Sequence, residues 1–89
     1  MKHKVWTVVI TLQDGMNVHV APSEAAAKEN VAAFVRTWWW TDLLEELGVS
    51  AEAYEQQHGT EEMIKAYFEA ESAQFQNESY AIDQHEIDL

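Results

Sequence analysis

The chain contains no cysteine, so neither disulfide bonds nor thiolate metal sites can stabilise it. Proline and glycine are scarce, with one and three residues, and no linker, repeat or low-complexity segment is visible. No apolar run approaches the ~20 residues that a membrane helix needs. These absences predict a cytoplasmic protein that does not cross a membrane, and 89 residues predict a single domain, 1–89.

Basic residues are also few, and their distribution is uneven. Five basic residues against sixteen acidic ones give a formal net charge of -11. Residues 1–41 hold four basic and three acidic residues, whereas residues 42–89 hold one basic and thirteen acidic residues. A hydrophobic fraction of 47% argues against disorder, because disordered acidic segments are poor in apolar residues. The sequence therefore predicts a folded domain whose acidic charge lies in its second half.

Alternating residues near the N-terminus predict a β-hairpin. The apolar side of the first strand consists of every second residue, namely Trp6, Val8, Ile10 and Leu12. The second strand repeats the pattern with Met16, Val18 and Val20. A three-residue loop over residues 13–15 would pair Leu12 with Met16 and keep one face wholly apolar, with Gly15 in the left-handed conformation. We therefore predict the three-residue loop.

Helix signals follow the hairpin. Ser23 is a predicted N-cap for a helix that reaches residue 38, and Asp42 has the capping-box spacing to Glu45 for a restart that Gly48 ends. Ser50 and Gly59 are predicted to bracket a short helix, and Thr60 is predicted to cap another that runs to about residue 73. Residues 80–89 are predicted to form a third strand. The predicted fold is α+β, a three-stranded antiparallel sheet of hairpin plus C-terminal strand with helices packed on one face.

Three consecutive tryptophans, Trp38, Trp39 and Trp40, are the most unusual local feature. On a helix they would sweep about 200°, so one buried stripe cannot hold all three. At least one indole should therefore lie at the rim of the core or on the surface. The other indoles can pack in the core, or the cluster can contact a second copy or a partner, since tryptophan is frequent in binding hot spots. We take Trp39 and Trp40 as candidate partner-binding residues.

The predicted helices of the second half carry glutamates with scarcely a cation between them. Six of these are candidate partner-binding residues: Glu45, Glu46, Glu52, Glu55, Glu61 and Glu62. Such like charges repel one another, which either serves solubility or is relieved by a basic partner. A dense carboxylate array can occupy a basic groove that otherwise binds DNA, and it argues against direct binding of nucleic acid.

Catalytic signatures are missing from the sequence. No nucleophile elbow, phosphate loop, HExxH motif or EF-hand spacing is present. In the predicted register His19 points away from the core and can share the open sheet face with His85 and Asp83, which makes a metal cluster conceivable. No histidine pair has helical i, i+4 spacing, and solitary histidines on a sheet face are commonly just exposed. We therefore expect no metal site, no cofactor and no enzymatic activity.

The whole chain resembles short uncharacterised proteins of bacteria, phages and plasmids. They share a strand–Asp-Gly–strand start, a Ser/Thr-Glu-Ala-Ala helix running into tryptophans, an acidic helix like "AYFE", and a closing "ESY-I" strand, here residues 78–82. In size and charge the chain is also similar to anti-CRISPR proteins of phages and to other nucleic-acid mimics. That similarity implies an inhibitor that occupies a nucleic-acid-binding site, and it assigns no residue roles.

Three functions are compatible with these features of the sequence. The leading expectation is a non-catalytic acidic protein that engages a basic surface of a partner protein, such as a nucleic-acid-binding complex. The alternative is a small structural or regulatory domain that homodimerises through the tryptophan helix or the open sheet edge, with its acidity serving solubility. A metal-dependent enzyme that uses His19 and His85 is the third. Either a monomer or a homodimer is compatible with the sequence.

Overall fold

A computed structural model describes residues 2–88 and contains one antiparallel sheet beside a layer of helices. The sheet consists of β1 (Lys2–Leu12), β2 (Gly15–Ala21) and β3 (Ser79–Asp88), in the order β2-β1-β3. The C-terminal strand pairs with the first strand over its whole length, from Lys2 opposite Asp88 to Thr11 opposite Ser79. The α+β class and the predicted strand arrangement are confirmed, while the predicted Leu89 end of β3 lies outside the described residues.

The predicted hairpin loop is wrong by one residue. Residues 13 and 14 form the turn, so Leu12 pairs with Gly15, and Val8 pairs with His19. Because side chains alternate along a strand, the shift moves Met16, Val18 and Val20 from the predicted core face to the open face. Gly15 begins β2 with a φ of 156°, a backbone conformation that residues other than glycine rarely adopt.

The described residues contain five helices between β2 and β3: α1 (Glu24–Thr37), α2 (Thr41–Leu47), α3 (Ala51–His58), α4 (Thr60–Glu69) and α5 (Glu71–Phe75). The Ser23 and Ser50 side chains accept hydrogen bonds from the backbone N–H of the third residue beyond them, which confirms the predicted N-cap at Ser23 and makes Ser50 the N-cap of α3. Gly48 ends α2 in the left-handed conformation, with a φ of 73°, as predicted.

Two helix starts and one helix end differ from the prediction. Trp40 precedes α2, and the Asp42 carboxylate accepts a hydrogen bond from Ser72 of α5 instead of capping its own helix. The residue before α4 is Gly59, and the Thr60 hydroxyl donates to Glu55. The last predicted helix is broken at Ala70, whose extended backbone separates α4 from α5. In each case a tertiary contact or a backbone change replaces the local signal.

The core lies between β1 and helices α1, α3 and α4. Its buried apolar residues from these elements are Val8, Ile10, Ala27, Val31, Ala32, Val35, Ala51, Met63, Ile64 and Tyr67. The face of β1 that carries Val8 and Ile10 is therefore the covered face, as its period-2 pattern predicted. On β2 only Ala21 is buried, because the helices do not extend over the rest of that strand. The hairpin thus projects past the helices beside residues 38–40.

Candidate functional site

The three tryptophans follow α1, whereas the predicted helix reached residue 38 and so included Trp38. α1 ends at Thr37, and the backbone N–H of Trp38 bonds to the carbonyl of Phe34 as the chain leaves the helix. Since the helix ends here, the three indoles point in directions that helical spacing does not govern. Trp38 is the exposed one, with 62% of its surface accessible, which confirms that at least one indole lies outside the core.

Trp39 and Trp40 are half-buried and held by hydrogen bonds. The indole N–H of Trp39 donates to the Val49 carbonyl at 3.3 Å, and that of Trp40 donates to the Tyr67 carbonyl at 3.2 Å. The Trp40 ring also stacks on the Tyr67 ring, with centroids 5.1 Å apart and an 18° angle between planes. These two indoles therefore contribute to the packing of the domain, whereas Trp38 is the exposed indole, and a partner-binding role for Trp39 and Trp40 stays a prediction.

Tyr67 joins this aromatic group to the start of β3. Its ring is buried among Trp40, Phe34 and Phe68, and its hydroxyl donates to the Glu78 carboxylate at 2.8 Å. Burial, followed by the charge and hydrogen bond of Glu78, raises the pKa of the Tyr67 phenol far above its usual value. The phenol therefore remains protonated and holds Glu78 in place.

A cleft opens between the tip of the hairpin and these rings. We name it the tryptophan cleft; it has a volume of about 700 Å³. Its lining comes from the hairpin turn, the end of α1, the tryptophan segment and the connection to β3: Leu12, Gln13, Asp14, Gly15, Met16, Asn17, Phe34, Thr37, Trp38, Trp39, Trp40, Thr41, Tyr67, Gln76 and Glu78. Cavities of ~300–1,000 Å³ are the usual size for ligand sites.

The charged lining of the tryptophan cleft is entirely acidic within residues 2–88. Asp14 at the hairpin turn and Glu78 before β3 contribute carboxylates, and the described residues that line the cleft include no lysine, arginine or histidine. Aromatic faces attract cations, and a carboxylate beside them adds a charged acceptor. The arrangement therefore suits a cation on an apolar stem, and it disfavours an anion. Asp14 and Glu78 were not predicted, because nothing local marks two residues 64 positions apart as neighbours.

Four of the six predicted glutamates lie exposed on the helices without an ion pair or hydrogen bond among the described residues. We call this group the acidic helical surface; it consists of Glu45 and Glu46 on α2, Glu52 on α3 and Glu62 on α4. The other two have cationic partners, since Glu61 bonds to Lys28 at 2.8 Å and Glu55 bonds to Arg36. These positions do not test whether the six glutamates bind a partner, and that role stays a prediction.

Glu55 belongs to a cluster that ties three helices together. The Arg36 guanidinium at the end of α1 contacts both oxygens of Glu55 on α3, at 2.9 and 2.7 Å, and reaches Glu29 at 2.6 Å. The Thr60 hydroxyl of α4 donates to the same Glu55 carboxylate at 2.7 Å. These hydrogen bonds, that of Arg36 first, lower the pKa of Glu55 to about 2. Glu55 therefore stabilises the fold.

The conceivable metal cluster is not assembled. His19 pairs with Val8 and so lies on the helix side of the sheet, whereas His85 and Asp83 lie on the open face opposite Val5 and Thr7. The His85 ring nitrogen Nε2 is 3.0 Å from the Thr7 hydroxyl. No group of three potential metal ligands occurs within residues 2–88. The prediction that His19 shares the open face was wrong because it followed from the three-residue loop.

Comparison with known proteins provides no identification. No family model, curated protein or solved structure matches this chain. Among the helices of residues 2–88, none combines the length and apolarity required to cross a membrane. Function is therefore inferred from the geometry of the tryptophan cleft and of the acidic helical surface.

The exposure of Trp38 gives a direct test of the cleft. In Trp38→Phe, we expect acrylamide quenching of tryptophan fluorescence to fall clearly, because the most accessible indole is removed. The free energy of unfolding should change by no more than about 0.5 kcal/mol, as is usual for surface positions. Trp39→Phe is the matched control and should leave most of the quenching intact. Equal quenching in both variants would contradict the assignment of Trp38 as the exposed indole.

Proposed function

We propose that this protein is a non-catalytic acidic binding protein of the cytoplasm that engages a basic surface of a partner protein. The partner surface in this proposal is one that otherwise binds nucleic acid, so the protein acts as an inhibitor of the anti-CRISPR-like kind. The observation that carries the proposal is the tryptophan cleft, whose aromatic lining has acidic residues as its charged members within the described chain.

An arginine side chain of the partner suits this cleft best. Its guanidinium is planar, stacks on aromatic faces and donates several hydrogen bonds to carboxylates. The exposed Trp38 indole offers such a face, and Asp14 at the hairpin turn offers an exposed carboxylate. Glu78 is already held by the Tyr67 hydroxyl, so it contributes charge at a defined position. Aromatic anchors in pockets are frequent hot spots of binding.

The acidic helical surface supplies the long-range part of the interaction. Most basic residues are matched to acids elsewhere: Lys28 pairs with Glu24 and Glu61, Arg36 pairs with Glu29 and Glu55, and Lys2 and Lys4 lie opposite Asp88 and Glu86 on the neighbouring strand. The carboxylates of the acidic helical surface therefore keep their negative potential. Such a potential accelerates association with a basic groove and repels phosphate groups.

The test uses an arginine-rich peptide as the probe, titrated while tryptophan fluorescence is recorded. We expect binding that weakens about tenfold or more between roughly 50 and 200 mM salt, since several charge pairs form. Asp14→Asn combined with Trp38→Ala should weaken binding about tenfold at constant salt, because the anchor and its carboxylate are lost. A fluorescent DNA duplex bound to the same peptide should be released by the protein.

Two matched double variants separate a defined surface from net charge. Glu45→Gln with Glu46→Gln and Asp83→Asn with Glu86→Gln each remove two carboxylates, on α2 and β3 respectively. We expect the first pair to weaken peptide binding more than the second. Equal losses would reduce the interaction to total charge and overturn the acidic helical surface. Binding that is indifferent to salt would overturn the proposed function itself.

A further inference from the structure

The edge strand β2 carries no acidic residue, lysine or arginine. Residues 15–21 contain no aspartate, glutamate, lysine or arginine, although the whole chain carries 21 such residues. Met16, Val18 and Val20 nevertheless lie in solvent on the open face, with 63%, 57% and 68% of their surfaces accessible. Within the part of the chain that the structure describes, every residue from 15 to 20 is exposed. An uncharged apolar edge of this kind is a template for pairing with another strand.

The opposite edge of the sheet differs in this respect. β3 carries Asp83, Glu86 and Asp88 in its second half, so pairing two copies of β3 would bring acidic side chains towards one another. Charged side chains are a common means by which proteins protect sheet edges from pairing. Of the two sheet edges within residues 2–88, β3 carries this protection and β2 does not, so the β2 edge is the more favourable one for a second copy of an acidic chain.

We propose that β2 pairs antiparallel with β2 of a second copy, about a two-fold axis through Val18. Val18 is the central residue of Gly15–Ala21, so this register uses the whole strand. It places Val18 opposite its own copy and Met16 opposite Val20 of the other chain. A two-fold axis perpendicular to the sheet keeps both open faces on the same side. All three exposed apolar side chains thereby gain apolar cross-strand neighbours.

The backbone supports the same register. In an antiparallel ladder hydrogen-bonded and non-hydrogen-bonded pairs alternate, and a two-residue turn closes on a hydrogen-bonded pair. Counting from the pair Leu12 and Gly15, the peptide groups of Met16, Val18 and Val20 face away from β1. These are the groups that the proposed register brings opposite one another. The dimer therefore satisfies peptide groups that the monomer leaves to water.

Two copies of this acidic chain repel each other less when they associate through the β2 edge than when they associate through the helices. The strand order becomes β3-β1-β2-β2-β1-β3, which separates the two acidic β3 strands by five strand spacings, about 24 Å. That distance exceeds the Debye length of about 8 Å at physiological salt, so their repulsion is largely screened. Contact through the helices would instead place the two acidic helical surfaces close together. The β2 edge is thus the least repulsive route to self-association.

Sedimentation velocity across a concentration series tests the proposal on the intact chain. We expect a concentration-dependent dimer that tightens as salt rises, because salt screens the repulsion between two chains of net charge -11. Val18→Lys should weaken the dimer tenfold or more by placing two ammonium groups at the axis. Ala81→Lys, on the open face of β3, is the matched control and should leave the dimer intact. Circular dichroism verifies that both variants fold.

A charge-swap pair of variants tests the register. Met16→Lys with Val20→Lys brings like charges together at both ends of the interface and should give monomers. Met16→Lys with Val20→Glu brings opposite charges together at the same positions and should retain the dimer. A wild-type monomer at every concentration, or a dimer that Val18→Lys leaves intact, would overturn the proposal. Salt is expected to strengthen the dimer and to weaken binding of the basic peptide. The two proposals can therefore fail independently of each other.

Discussion

Tyr67→Ala is expected to lower the free energy of unfolding by about 3–5 kcal/mol, the range observed for removal of a large buried aromatic side chain. Tyr67 is among the largest fully buried side chains of the described residues, and its ring contacts Phe34, Trp40 and Phe68. Removing it leaves a cavity at the meeting point of α1, α4 and the tryptophan segment. The free energy of unfolding of a small domain is about 5–15 kcal/mol, so this single change should remove a large part of it.

Tyr67→Phe is the control that separates the ring from its hydroxyl. It keeps the aromatic packing and removes only the hydrogen bond to Glu78, so we expect a loss of about 0.5–1.5 kcal/mol. Urea unfolding followed by circular dichroism measures both variants. A loss below about 1 kcal/mol for Tyr67→Ala would show that this ring does not organise the core and that the tryptophan cleft has another foundation.

Acid should selectively remove the stabilisation that Glu55 provides. The pKa of Glu55 is lowered to about 2 by the hydrogen bonds from Arg36 and Thr60, below its ordinary value of 4.5 in the unfolded chain. A carboxyl group whose pKa is lower in the folded state stabilises the fold above the unfolded pKa and loses that effect as the pH falls. The contribution is therefore complete above pH 4.5 and lost as the pH falls towards 2.

Glu55→Gln measures this contribution. At pH 7 the variant should be less stable than wild type by about 1–3 kcal/mol, a range below the full pKa shift because water partly screens the pair. The side chains of Arg36 and Glu55 keep 26% and 18% of their surfaces accessible. The difference between the two proteins should shrink as the pH falls from 4.5 towards 2.

Glu52→Gln is the matched control for this experiment. It lies on the same helix, is exposed, and forms no hydrogen bond or ion pair with the residues that the structure describes. We expect a change within about 0.5 kcal/mol at pH 7. If Glu55→Gln and Glu52→Gln behave alike in urea unfolding across the pH series, Arg36 does not join α1 to α3 through Glu55.

In the hairpin, the local pattern of residues predicted the two strands but not their register. Alternating residues identified β1 and β2, because period-2 patterning reports which side of a strand is apolar. The register was wrong, since turns of two and three residues are both compatible with Asp14 and Gly15. The prediction assumed that every apolar residue is buried, whereas the helices cover β1 and only the end of β2 at Ala21. Val18 was therefore predicted to lie in the core, but it is exposed on the open face of the sheet.

The tryptophans show the same limit. Sequence alone predicted that at least one indole lies at the rim of the core or on the surface, because three successive helical side chains cannot share one stripe. Identifying Trp38 required the end of α1 at Thr37 and the hydrogen bonds of Trp39 and Trp40 to carbonyls of distant segments. Such bonds depend on where those segments pack, and no local propensity encodes them.

By itself the sequence determined the acidic second half, the α+β class, the N-cap at Ser23 and the helix end at Gly48, because charge, periodicity and capping act over a few residues. Only the tertiary structure decided which glutamates are paired, which strand edge is uncharged and open, and how Asp14 comes to line one cleft with Trp38 and Glu78. These outcomes depend on contacts between segments far apart in the chain, and the packing of the helices on the sheet sets those contacts.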